Sequence, residues 1–453
     1  MSSQANGVAS SLTFEGVCIA GKPACSKFDI RCRDGVIASL EEHKPEQHDE
    51  ESGTRFLSPS LCHPHIHLDK CFLLSHPKYA DLQIEKGDFA EAMKLTSEAK
   101  TRFEEDDLMD RGRALIEESI NFGVTHMRAF VEVDLGVKYK CLEAGLALKE
   151  LFRDRCYIQI CVFAQDPIFS YPDKGRAMMR LLDNAASRSG VEVFGSTPYV
   201  EKDGNHEKQI KNMEFAIKTA KRYKLHLDFH IDYNLDPVKQ SMVTEALKLL
   251  HSMNWPSNWN NFEYRTIVFG HCTRLTLFDS SEWLKLCEKV QGLPVSFVGL
   301  PTSDLFMMGR PNEDDGGGHR VRGTLQVLQM IKKYGLNAAM GINNVGNAFT
   351  PQGSCDPLSL ASLGVGLYQG GTKADAELLL QCVSNRAKLA IGINLTVSYD
   401  IELDIGDPAD FVIFGNASLK TTRSFRSRKT VQELIYDPCQ DRTTVFNGKV
   451  VSQ

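Results

Sequence analysis

Apolar and polar residues alternate along the chain in two rhythms, and the change between them divides it. Residues 11–20, 28–32 and 36–40 are short strand-like runs, with turn residues at Gly21-Lys22-Pro23 and Asp34-Gly35. Asp-Gly between two apolar runs is a strong hairpin signal, because a tight hairpin turn needs residues that accept positive φ. A polar, charged stretch over 41–55 predicts a surface connection. From residue 56 onward, apolar runs of strand length recur at 56–67, 124–133, 157–163, 191–198, 226–232, 265–272, 294–301 and 336–344. The intervening stretches 108–122 and 139–152 space their apolar residues three and four apart, which is one face of a helix. Strand-like runs return at 411–414, 433–436 and 443–451, the last with an Asn447-Gly448 turn.

About eight strands, each followed by a helix, predict an α/β fold of the (β/α)8 barrel type. A doubly wound open sheet is the alternative, but no Gly-rich nucleotide fingerprint follows the first strand. The strand-rich ends predict a small β domain assembled from residues 1–57 and 398–453, with the barrel occupying 58–397.

Composition narrows the picture. The chain has 453 residues, more than one ordinary domain, which agrees with a barrel plus extensions. Lys+Arg 52 against Asp+Glu 58 gives a net charge of -6, so nucleic acid is not the expected partner. No apolar run nears the roughly 18 residues of a membrane span, and residues 1–11 lack the basic start and apolar stretch of a secretion signal. Thirteen scattered cysteines without a CxxC pair predict buried free thiols in a reducing compartment, hence a cytoplasmic protein. The sequons at Asn394 and Asn416 would then carry no glycan. A homo-oligomer is compatible with the sequence but not read from it.

Candidate chemistry lies at predicted strand ends. The first barrel run ends in His63-Pro64-His65-Ile66-His67-Leu68-Asp69. Residues two apart in a strand share a face, so His65 and His67 point together, and His63 joins them if the strand holds past Pro64. The fifth run delivers His230, with Asp232 on the same face, and the sixth delivers His271. Barrel enzymes build their sites from the C-terminal ends of the strands, and convergent imidazoles there suit a metal ion. His126 and His226 lie inside strands and are expected to be structural.

These residues resemble the amidohydrolase superfamily, and within it the cytosine deaminase-like branch. The resemblance rests on Pro64-His65-Ile66-His67-Leu68-Asp69, on His230 and His271, and on Gly341-Ile342-Asn343-Asn344-Val345 at the eighth strand. Phe163-Ala164-Gln165, the segments 301–310 and 322–323 after the seventh strand, and the segments 406–410 and 447–451 add to it. The resemblance implies one divalent metal ion, Zn²⁺ or Fe²⁺, held by His65, His67 and His230 with the residue at 343. It also implies a small-molecule substrate, with Gln165 touching its ring and His271 polarising it or orienting a water.

Two departures fall on the chemistry. The eighth-strand aspartate of the family is Asn343 here, a neutral amide that can ligate but is not a useful base. The fifth-strand glutamate is Tyr233, a phenol with an ordinary pKa near 10. Phe130 and Glu132 also stand where the family has His and Asp, and His63 stands for a glutamate. Three readings follow. One is a hydrolase of carbon–nitrogen bonds in a small planar or cyclic compound, with Asp232, Asp69 or His271 moving protons. The second is a non-hydrolytic enzyme on the same barrel, such as a cyclase, isomerase, lyase or decarboxylase, and the third is a non-catalytic binder. Gln165, Phe130, Tyr233, Asn344, Phe306 and Met307 are the expected substrate contacts, and the loop 312–319 is a candidate lid.

Overall fold

In the computed structural model, residues 11–24, 26–44, 55–256, 264–310, 321–393, 399–415 and 428–453 are described. The candidate lid 312–319 and both sequon asparagines lie outside the described residues.

The first sheet joins the two ends of the chain. Strands β1 (Ser11–Ile19), β2 (Phe28–Arg33) and β3 (Val36–Glu42) form an antiparallel meander. Asp34 and Gly35 take φ values of 53° and 80° in the tight turn between β2 and β3. Strand β4 (Arg55–Pro59) runs parallel to β1. Eight further strands build the barrel, and the chain then returns with β13 (Phe411–Phe414), β14 (Arg442–Phe446) and β15 (Lys449–Ser452). β13 pairs antiparallel with β4, so a central ladder of this sheet joins segments some 350 residues apart, as the strand-like ends suggested.

The barrel strands are β5 (Leu61–His67), β6 (Val124–Glu132), β7 (Tyr157–Ala164), β8 (Val191–Ser196), β9 (His226–Ile231), β10 (Ile267–His271), β11 (Val295–Gly299) and β12 (Ala338–Met340). Each pairs in parallel with the next, in chain order. The ring closes where His67 N donates to Asn343 O at 2.8 Å and Asn343 N donates to His65 O at 3.1 Å. Helices such as Glu105–Asn121 and Lys140–Phe152 cover the outside, close to their expected bounds. β5 and β6 are buried along their whole length, because the barrel interior takes one face and the helices take the other.

Three expectations need correction. Residues 433–436 are not a strand but part of the helix Val431–Tyr436. Thr430 caps its start, and Val431, Leu434 and Ile435 are buried at helical spacing. The single run 56–67 is two strands in two sheets, parted at Ser60, which places Leu57 to Pro59 with the small sheet. The eighth strand is only three residues long, because the backbone beyond Met340 bends to reach β5. Among the described residues, no helix is long and apolar enough to cross a membrane.

Candidate active site

β5 brings His65 and His67 to the C-terminal mouth of the barrel, and β9 brings His230. Their Nε2 atoms converge, with His65 to His230 at 2.9 Å and His67 to His230 at 3.1 Å. Burial, and then the neighbouring positive groups, push all three imidazoles well below their ordinary pKa, so they are neutral. Two neutral imidazoles can share one proton, but three converging nitrogens leave lone pairs facing each other. The oxygen of Asn343 is also buried without a partner, and the Asn343 side chain reaches His65. Two nitrogens bound 2.0–2.1 Å from one ion at about a right angle would stand roughly 3 Å apart, so this donor set fits a divalent cation.

Local sequence makes room for the cluster. A side-chain carbon at Gly270 would lie 3.1 Å from Cε1 of His65, and one at Gly341 would lie 3.2 Å from its Cβ. Phe130 packs beneath the cluster, with ring centroids 4.2 Å from His65 and 5.0 Å from His230. His63 does not join it. The β5 register slips between His63 and Ile66, so alternation fails across Pro64 and His63 turns outward to Ser119 Oγ at 3.1 Å.

His271 ends β10 in a left-handed conformation, φ 65°. Its Nδ1 faces Oδ1 of the fully buried Asp304 at 2.8 Å, and Thr324 donates to the other oxygen at 2.6 Å. Nδ1–H donates its hydrogen bond to this carboxylate, which leaves the lone pair of the neutral ring on Nε2. Burial pushes the Asp304 carboxyl up, against the opposing pull of His271 and Thr324. The Tyr233 ring lies 3.8 Å from the His271 ring at an interplanar angle of 30°. Burial raises its phenol well above the ordinary value, and its hydroxyl approaches Ser303 O at 3.4 Å.

A narrow cavity opens onto this group, bordered by His67, His230, His271, Tyr233, Asn343 and Gln165 among others. Several expected site residues lie elsewhere. Asp232 adopts φ 54°, which breaks the strand alternation, and its carboxylate accepts from Ser241 Oγ and from Met242 N at 2.8 Å. It caps the helix Met242–Ser252 and does not border the cavity. Asp69 is turned to Glu132 N at 2.6 Å, its carboxyl raised to about 6 by burial and by the Glu132 charge. Phe130 sits below the histidines, and Phe306 packs against Arg310, outside the cavity wall. His126 and His226 bond to Thr125 and Thr266, as expected of structural histidines.

The sequence reading missed Lys70, Phe89, Tyr199, Phe349 and Asp304. The first four border the cavity, and Asp304 backs His271. Asp304 lies within the segment 301–310 and Lys70 directly follows the one that ends at Asp69, but no motif position marks either. Phe89 and Phe349 come from segments with no motif.

No family model matches the chain. It is 23% identical over 415 residues to N-isopropylammelide isopropyl amidohydrolase of Pseudomonas sp. (strain ADP), covering 87% of this chain and 85% of that protein. Among solved structures, it resembles 5-methylcytosine deaminase from Klebsiella pneumoniae, with a TM-score of 0.79, 21% identity, and coverage of 98% of this chain and 97% of that one. It also resembles N-isopropylammelide isopropylaminohydrolase from Burkholderia multivorans, with a TM-score of 0.72, 20% identity, and 98% of both chains covered. The chain therefore has the barrel-and-small-sheet fold of the cytosine deaminase-like amidohydrolases.

Proposed function

We propose that the protein is a metal-dependent hydrolase that cleaves a carbon–nitrogen bond of a small planar ring compound. The observation that carries this reading is the convergence of three neutral imidazole nitrogens and one unpartnered amide oxygen beside the buried His271–Asp304 pair. His65, His67 and His230 would hold the ion, with Asn343 as a neutral fourth donor. A divalent ion there supplies the acidity that makes hydroxide from water near neutral pH. The rest falls to the chain's own groups. Nε2 of His271 takes the proton of the attacking water, while Asp304 stabilises the imidazolium, and His271 then returns the proton to the departing nitrogen. Tyr233, stacked on His271 and resistant to ionisation, supplies a wall rather than a base. Gln165 and Asn344 orient the ring. The similarity to a 5-methylcytosine deaminase and to N-isopropylammelide amidohydrolases supports this bond type.

The neutral amide at 343 and the phenol at 233 favour a second reading, non-hydrolytic ring chemistry on the same cluster, because both replace groups that move protons. Zinc-loaded protein incubated with amino-substituted pyrimidines and triazines in H₂¹⁸O separates the two. Release of ammonia or amine with ¹⁸O in the ring product is expected; turnover without ¹⁸O would establish the second reading. We also propose a cytoplasmic setting, since the twelve cysteines found as free thiols are all buried except Cys287.

A further inference from the structure

The groups that carry the chemistry are closed off from solvent. His67, His230, His271 and Asn343 are each no more than 3% exposed, and the cavity they border is narrow. A ring compound can reach them only if something above them moves. The stretch between β5 and the helix Glu105–Asn121 is placed to do so. It holds the helix Phe89–Thr101, whose first residue borders the cavity. The Phe89 ring stands against Phe349, Tyr233 and Tyr199, with centroids 5.8, 6.1 and 6.3 Å away, so it is part of the roof.

This stretch is tied to itself. Asp88 caps the helix by accepting from Glu91 N at 2.8 Å. Glu91 reaches back to accept from Glu85 N and Lys86 N, each at 2.9 Å. At the far end, Arg102 forks onto Asp81 at 2.8 and 2.9 Å. Residues 81–102 can therefore move as one piece. Their underside is loosely packed. A small apolar cavity lies there, bordered by Leu73, Leu74, Leu82, Leu95, Thr96 and Ala348, and Thr96 Oγ1 is buried without a partner. Missing contacts and an unpaired hydroxyl both lower the cost of lifting the helix.

Charge holds the piece to the barrel through Lys100, in the last turn of that helix. Its Nζ lies 2.7 Å from Glu132 Oε2, 2.5 Å from Asp134 Oδ2 and 3.6 Å from Asp166 Oδ1. Glu132 ends β6, and Asp166 lies just past the end of β7. The ammonium thus sits where three carboxylates of the barrel rim converge. Burial works against its charge, but Glu132, Asp166 and Asp134 outweigh it and hold its pKa well above the ordinary value. Arg310 adds a longer bond to Lys86 O at 3.3 Å. We propose that residues 81–102 form a cover that lifts to admit a ligand, and that Lys100 is the latch that keeps it shut over the histidines. The proposal concerns access to the site, so it does not rest on the hydrolase reading and is measured without turnover.

The test is the rate at which diethylpyrocarbonate acylates individual histidines of the full-length protein, kept in chelator and read by peptide mass spectrometry. His230 and His271 report the site. His126, buried at the opposite end of the barrel, reports general loosening, and the exposed His206 reports the reagent. In the wild type, His230 and His271 should react far more slowly than His206. Lys100→Met should raise the rate at both at least about tenfold, because a buried ion pair is lost. The rates at His126 and His206 should not change. Lys100→Arg keeps the charge and should restore a rate near that of the wild type. Asp166→Asn removes one partly exposed partner and should raise the site rates about two- to fivefold. Circular dichroism shows whether each variant is folded, and if Lys100→Met is not, Asp166→Asn decides. Site histidines that react as fast as His206 in the wild type, site rates unchanged in the folded variants, or rates that rise in step with His126 would overturn the proposal.

Discussion

Asn343 brings a neutral amide, and no charge, to the histidine cluster. Its oxygen is buried without a partner, and its Nδ2 donates to Ser303 Oγ at 2.8 Å, which in turn meets Thr350 Oγ1 at 2.5 Å. Asn343→Asp is nearly isosteric and adds one negative charge beside three neutral imidazoles. The serine hydroxyl can turn to donate to the new carboxylate. Zinc affinity, read by competition with a chelator, should rise at least about tenfold, since even outer partners of metal ligands are worth 10–100-fold. Hydrolytic turnover should rise with it, as a positioned base contributes roughly 10²–10⁴-fold. A fall in native turnover with folding and zinc content intact would mean that the neutral amide is part of a non-hydrolytic design. At this scale the sequence was legible where alternation holds. His65, His67, His230 and His271 follow from strand parity. Asp232 did not, because its left-handed backbone turns the carboxylate into a helix cap, and His63 did not, because a bulge at Pro64 resets the parity. Asp304 and Lys70 act through tertiary partners more than thirty residues away, and no local pattern marks those.

Elements were legible from period and turn chemistry, and the failures have local causes. The run 433–436 carries apolar residues at a spacing that fits either a strand or one helical turn, and the cap at Thr430 decides it. The helix Glu105–Asn121 shows how a cap is reinforced. Asp107 closes a capping box by accepting from Glu104 N at 2.7 Å. Its carboxylate also accepts from Tyr79 at 2.7 Å, Lys78 at 2.8 Å and Arg111 at 2.9 Å. Burial alone would raise its pKa, but these donors outweigh it and hold the group at about 2. A carboxyl whose folded pKa lies below its unfolded value adds stability above the unfolded pKa and loses it as pH falls through the folded one. Asp107→Asn should therefore lower stability at pH 7 by about 1–2 kcal/mol, discounted for partial solvent access. The gap to wild type should narrow steadily between pH 5 and pH 3. Urea midpoints measured across that range check it, and a gap independent of pH would show that the charge on Asp107 is not the stabilising feature.

The whole molecule depends on how the small sheet is fastened to the barrel. The β4–β13 ladder joins the ends of the chain to each other, and a buried ion pair joins the sheet to the barrel's helices. Arg442, on β14, gives both terminal nitrogens to Asp356, each at 2.7 Å, and the two side chains are 0% and 1% exposed. Arg442 also donates to Phe122 O at 2.7 Å, at the end of the helix Glu105–Asn121. Asp356 in turn caps the helix Pro357–Leu367 by accepting from Leu358 N at 2.9 Å. One guanidinium thus ties the sheet to two helices, and removing it leaves a buried carboxylate without its counter-charge. Breaking such a pair costs about 3–5 kcal/mol, much of it the penalty for the stranded partner. Arg442→Met should lower the unfolding midpoint strongly. Adding Asp356→Ser, which keeps the helix cap and removes the stranded charge, should recover part of the loss, so the double variant costs less than the two single changes together. If the sheet and barrel unfold as one unit, fluorescence and circular dichroism will shift together in every variant. An early transition that melts β13 to β15 while the barrel keeps its signal would show that the joint, not the barrel, limits the stability of the chain.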